Sequence, residues 1–163
     1  MIACIDNVFN RPHKIIRFAN TLEYTDVGYV RGVRSKLIHE INQELFDSIN
    51  MKILGCFYPE AEYEFFAKSF FQKNQYDIND GWVHSDSSLI TAIIYLTPED
   101  TSGTCIYEKK DENQILKSQD KKQDYFKNHK NYSTEEKQKI QNLKLENNSC
   151  FKKTVSFTGK FNR

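Results

Sequence analysis

Apolar side chains recur at three- and four-residue steps through Val33, Leu37, Ile38, Ile41, Leu45, Phe46 and Ile49, with Lys36, Glu40, Gln43 and Asp47 between them. That spacing predicts an amphipathic helix whose apolar stripe packs on a sheet. A shorter helix is expected after Asn10-Arg11-Pro12, with Pro12 in its first turn and Ile15, Ile16, Ala19 and Leu22 on one face. Residues 2 to 9 read as a short strand, and Gly28 and Gly32 mark a turn. Lys52 to Tyr58 and Tyr63 to Lys73 are rich in aromatic side chains and are broken by Pro59-Glu60-Ala61, so they read as two strands joined by a turn. Ala67 to Gln72 would be the strand leading toward the candidate site, and Asn74 to Gly81 is a polar loop.

From Gly81 the pattern changes. Trp82-Val83-His84-Ser85-Asp86 reads as extended chain, followed by the apolar, β-branched run Leu89 to Leu96, a turn at Pro98-Glu99-Asp100, and a further strand at Ser102 to Tyr107. Residues 108 to 150 are dominated by Glu, Lys, Asp, Asn and Gln and read as a peripheral insertion. Inside it, Ser133-Thr134-Glu135-Glu136 has capping-box spacing and predicts a helix from about Thr134 to Leu143, with Ile140 and Leu143 touching the body. Strand character returns at Val155 to Thr158.

With 163 residues, 39% of them hydrophobic and 13% aromatic, the chain has the size and apolar content of one domain. Lys plus Arg (23) almost balances Asp plus Glu (22), which gives no field for nucleic acid or a membrane surface, and neither partner is expected. No stretch approaches the roughly 18 apolar residues of a membrane span, and Met1 to Asp6 lacks the pattern of a secretion signal, so a cytoplasmic protein is expected. The cysteines at 4, 56, 105 and 150 form no Cys-x-x-Cys pair; three stand in apolar, strand-like surroundings and read as small buried hydrophobes in a reducing compartment.

The candidate chemistry is His84-x-Asp86. Side chains two apart on extended chain share a face and stand roughly 6 to 7 Å apart along it, so an imidazole and a carboxylate there can converge on one ion. They make up two thirds of a 2-His-1-carboxylate facial triad, which holds Fe(II) and leaves three positions open. The bland alternative is a polar strand end whose His and Asp bond each other or water. His39 lies among polar neighbours and His129 inside the charged insertion; neither is assigned a function.

Taken together, Ile5-Asp6-Asn7, Arg34-Ser35, Phe71-Gln72, Trp82-Val83-His84-Ser85-Asp86, Tyr95-Leu96-Thr97-Pro98 and Ser102-Gly103-Thr104 resemble the phage and bacterial Fe(II)/2-oxoglutarate-dependent oxygenases related to prolyl hydroxylases. The resemblance implies an α+β chain with a double-stranded β-helix (jelly-roll, cupin-like) core and N-terminal helices packed on the sheet. It implies Fe(II) bound by His84 and Asp86, and 2-oxoglutarate as co-substrate in a pocket lined by Tyr95, Ile106 and Gln72. The family pattern also needs a second His and a later basic residue; both are expected beyond Arg163, which makes the 163-residue chain a truncated and catalytically incompetent form. The implied activity is a dioxygenase that hydroxylates a protein side chain or a small molecule. The alternatives are a non-catalytic interaction or structural protein on the same scaffold, and a cupin-like metal protein of other chemistry.

Overall fold

The computed structural model describes residues 2–28, 32–60, 64–74, 81–98, 101–111 and 131–163. In chain order the elements are α1 (Pro12–Asn20), β1 (Val33–Arg34), α2 (Ile38–Ile41), α3 (Gln43–Phe57), β2 (Gln72–Lys73), β3 (Thr101–Lys109), α4 (Thr134–Ser149) and β4 (Phe151–Gly159). β1 and β2 form one antiparallel pair and β3 and β4 another. The described chain is thus α+β.

The long helix predicted from the apolar stripe is two helices. Asn42 interrupts it with extended backbone (φ −155°, ψ 93°), and its side-chain oxygen accepts from Leu45 N–H at 2.9 Å to cap α3. A short amide that satisfies an orphan N–H favours a new helix start over continuation. α3 then runs on to Phe57, through the segment expected to open a strand at Lys52. The stripe explains the difference: Leu45, Phe46, Ile49 and Ile53 all reach the core at helical spacing, and that burial overrides the β preference of Ile53 and Phe57. Val33 belongs to β1 rather than to the helix. Residues 2 to 9 form no strand, and within Ala67 to Lys73 only Gln72 and Lys73 join a ladder, opposite Arg34 and Val33.

The core gathers Phe9, Ala19, Ile38, Phe46, Ile49 and Phe71, with Ile94 and Leu96 packed against it. Ser35 links two of its walls. Its N–H donates to Phe71 O at 2.9 Å, and its Oγ accepts from Phe71 N–H at 3.0 Å.

β3 and β4 pair in antiparallel register, Thr104 opposite Phe157, Cys105 opposite Ser156 and Ile106 opposite Val155. α4 begins at the predicted capping box: Ser133 Oγ accepts from Glu136 N–H at 3.2 Å and Glu136 Oε2 accepts from Ser133 N–H at 2.8 Å. It extends to Ser149, beyond the expected end at Leu143, with Ile140 and Leu143 half-buried as expected. The charged block therefore joins the two long strands of one hairpin; residues 112–130 of it, His129 included, lie outside the described residues, as do Tyr63 and residues 75–80.

The cysteines differ from expectation. Cys4 and Cys56 are exposed, Cys105 and Cys150 half-buried, and all four are free thiols. Cys56 and Cys150 lie at helical positions where their S–H groups donate to the carbonyls four residues back, Lys52 O and Glu146 O. Helical geometry at Cys56 replaces the strand surroundings that would have buried it. Among the described residues, no helix is long and apolar enough to cross a membrane.

Candidate functional site

Residues 81 to 98 carry no ladder hydrogen bonds of their own among the described residues, and the expected strands at 82–86 and 89–96 are irregular extended chain. Side-chain amides and single backbone bonds hold them instead. Asn147 Nδ2 donates to Val83 O at 2.9 Å, Asn148 Oδ1 accepts from Val83 N–H at 3.0 Å, and Asn148 Nδ2 donates to Gly81 O at 2.9 Å. Trp82 is buried, and its indole N–H finds no acceptor among the described residues. Further on, Tyr95 N–H donates to Arg163 O at 2.8 Å and Tyr95 O accepts from Asn162 N–H at 2.7 Å.

His84 and Asp86 meet as the spacing predicts. His84 Nε2 stands 3.4 Å from Asp86 Oδ1, with the two side chains 44% and 47% exposed. The other ring nitrogen, Nδ1, lies 2.8 Å from Trp82 O. A carbonyl oxygen only accepts, so Nδ1 carries a proton, and Nε2 is the ring nitrogen that faces the carboxylate.

A divalent ion fits this donor set. Two donors in adjacent positions around an ion at about 2.1 Å stand about 3 Å apart, so the pair would need a movement of a few tenths of an ångström to close on one. A metal-binding imidazole that donates its second N–H to a backbone carbonyl is the usual arrangement for fixing tautomer and ring orientation. Among the described residues, no third His, Cys, Asp or Glu joins the pair.

The other predicted residues fall into two places. Tyr95 Oη is hydrogen-bonded to Thr104 Oγ1 on β3. Ile106 stands two residues further along that strand and is half-buried, so a phenol, a hydroxyl and an aliphatic side chain share one strand face. Gln72 is on β2, where its Oε1 accepts from Arg34 Nε at 2.7 Å and its Nε2 donates to Asn74 Oδ1 at 2.6 Å. Arg163 forms a two-point pair with Asp6, Nε to Oδ1 at 2.6 Å and Nη2 to Oδ2 at 3.1 Å. That guanidinium holds the Asp6 carboxyl below the usual range for aspartate.

Sequence reasoning missed Asn147 and Asn148. Both lie in the block read as peripheral, yet Asn147 is only 2% exposed. The pair of amides interrupting Leu145-Glu146 and Ser149 was the sole local signal, and nothing in it names the segment they bind.

Across residues 1–163 the chain matches the profile of the Family of unknown function (DUF6445), and it belongs to that family. No curated protein and no solved structure matches it.

Proposed function

We propose that this member of the family is an Fe(II)/2-oxoglutarate-dependent oxygenase in which His84 and Asp86 are two of the iron ligands. The observation that carries the reading is the 3.4 Å approach of His84 Nε2 to Asp86 Oδ1, with Nδ1 engaged by Trp82 O. Bound iron would supply the activation of oxygen, with one oxygen atom going to succinate as 2-oxoglutarate loses carbon dioxide and the other entering a substrate C–H bond.

The chain's own groups have separate tasks. His84 would offer its Nε2 and Asp86 a carboxylate oxygen that would offset part of the ion's charge, and the open side of the exposed pair leaves room for small ligands. Thr104 can donate its hydroxyl proton to Tyr95 Oη, which frees the phenolic proton for a co-substrate carboxylate. Ile106 beside them supplies an apolar wall that keeps water from the reacting centre. Gln72 is assigned to the co-substrate pocket on the family resemblance. The reading calls for one more protein donor and for a cation opposite the distal carboxylate of 2-oxoglutarate. It also makes β3 and β4 two strands of a double-stranded β-helix. Four free thiols suit a reducing, cytoplasmic setting, and the substrate is a protein side chain or a small molecule.

The test is succinate release from 2-oxoglutarate by the product of the full reading frame, supplied with Fe(II), ascorbate and oxygen. Turnover that His84→Ala abolishes supports the reading. A folded protein without turnover, or turnover indifferent to His84→Ala, overturns it; the first of these outcomes favours a non-catalytic protein on the same scaffold.

A further inference from the structure

We propose that Asn148 is a positioning residue for the His84–Asp86 pair, acting through the peptide unit between Trp82 and Val83. This role rests on the reading of that pair as a metal site.

In extended chain the carbonyl of residue 81 and the N–H of residue 83 point to the same side, where a neighbouring strand would meet them. Among the described residues no strand does so, and one carboxamide takes its place. Asn148 Oδ1 accepts from Val83 N–H at 3.0 Å while Asn148 Nδ2 donates to Gly81 O at 2.9 Å. The donor and acceptor pattern leaves a single orientation for that amide. Asn147 secures it from behind, its Nδ2 donating both to Val83 O at 2.9 Å and to Asn148 Oδ1 at 3.2 Å.

The peptide unit gripped in this way is the one that orients the imidazole. Its N–H donates to Asn148, and its carbonyl, Trp82 O, accepts from His84 Nδ1 at 2.8 Å. The chain of bonds runs from Asn148 through one peptide group to the ring, and each bond polarises the next. His84 and Asp86 are too exposed for packing to fix their rotamers, so the backbone beneath them sets where their donor atoms meet. The C-terminal end of α4, inside a segment whose composition suggests an ornament, thus sets the geometry of the metal-binding face.

The experiment is an anaerobic Mn(II) titration of the full chain and of His84→Ala, Asn148→Ala and Ser133→Ala, with thermal unfolding of each. Ser133→Ala weakens the start of α4 without touching residues 81 to 84 and reports any effect of helix stability alone. We expect Asn148→Ala to weaken Mn(II) binding about tenfold, as loss of a bond behind a metal ligand does. Ser133→Ala should stay within about twofold of the parent in this readout, because its lost cap lies at the far end of the helix. Parent-like affinity in Asn148→Ala, while His84→Ala abolishes binding, overturns the positioning role and leaves the metal site standing. Equal weakening by Asn148→Ala and Ser133→Ala overturns it as well, by making the effect one of stability. Absence of Mn(II) binding by the parent, or binding indifferent to His84→Ala, removes the metal site and the positioning role with it. A second measurement needs no variant: long-range proton–nitrogen correlation of the His84 ring in the parent should show the proton on Nδ1. A ring with its proton on Nε2 and none on Nδ1 breaks the chain of bonds and overturns the proposal.

Discussion

Asn162 grips Phe9 by both of its backbone groups, its Oδ1 accepting from Phe9 N–H and its Nδ2 donating to Phe9 O, each at 2.9 Å. The two residues stand 153 positions apart in the chain, and Asn162 is 5% exposed. Its backbone continues the contact, its O accepting from Val8 N–H at 3.1 Å while its N–H reaches Tyr95 O. A single asparagine therefore ties residues 8 and 9 to the segment that carries Tyr95.

Loss of that side chain should be costly. Asn162→Ala leaves a buried N–H and a buried carbonyl without partners, at about 1 to 3 kcal/mol for such a loss. It also places alanine at φ 59°, a left-handed conformation that costs a residue with a Cβ about 1 to 2 kcal/mol. Chemical denaturation should show Asn162→Ala less stable by about 2 to 5 kcal/mol, with Asn162→Gly recovering the conformational part. Equal losses in the two variants would mean that the backbone conformation contributes nothing.

The adjoining Asp6–Arg163 pair predicts an acid-sensitive tie. The Asp6 carboxyl is held below the ordinary aspartate value mainly by the hydrogen bond from Arg163, with charge from Arg163 and Lys160 adding to it. A carboxylate whose folded value is lowered stabilises the fold above the unfolded value of about 3.9, and that contribution disappears as pH falls through the folded value. The stability difference between the parent and Asp6→Asn should thus be level from neutral pH to about pH 5 and shrink on further acidification. The pair is exposed, so the difference should also shrink in high salt. A difference that grows on acidification would contradict this assignment.

Gly103 marks a close approach between β3 and β4. A Cβ there would lie 1.6 Å from Phe157 O and 2.6 Å from Gly159 N, at the register irregularity between Thr101 and Thr104. Gly103→Ala must move backbone rather than a side-chain tip. The expected cost is about 1 to 3 kcal/mol, with chemical-shift changes at Thr104 and Tyr95, whose hydroxyls meet one residue away. Unchanged stability and unchanged shifts would show that the two strands separate freely.

The approach of His84 to Asp86 was legible in the sequence because it is local. His84 and Asp86 need only extended chain between them to share a face, and they do share one although no ladder forms there. The capping box at Ser133 and Glu136 is local too, and it begins α4 where the four-residue pattern places it. The break at Asn42 and the run of α3 through Lys52 to Phe57 were misread, because a capping amide interrupts the first stripe and β-prone aromatic residues disguise the second. Asn147, Asn148 and Asn162 were illegible as contacts. Each makes its bonds to backbone more than sixty residues away, and such a carboxamide leaves no periodic trace in composition.

The central claim is that His84 and Asp86 together hold a divalent ion, and an anaerobic Fe(II) titration of the parent chain against His84→Ala and Asp86→Ala tests it most directly. With two protein donors among the described residues, one equivalent of iron should bind weakly, and either substitution should reduce the affinity at least about tenfold, the scale of a lost charge-assisted contact. Fe(II) binding that survives both substitutions unchanged, or no binding by the parent at all, would contradict it.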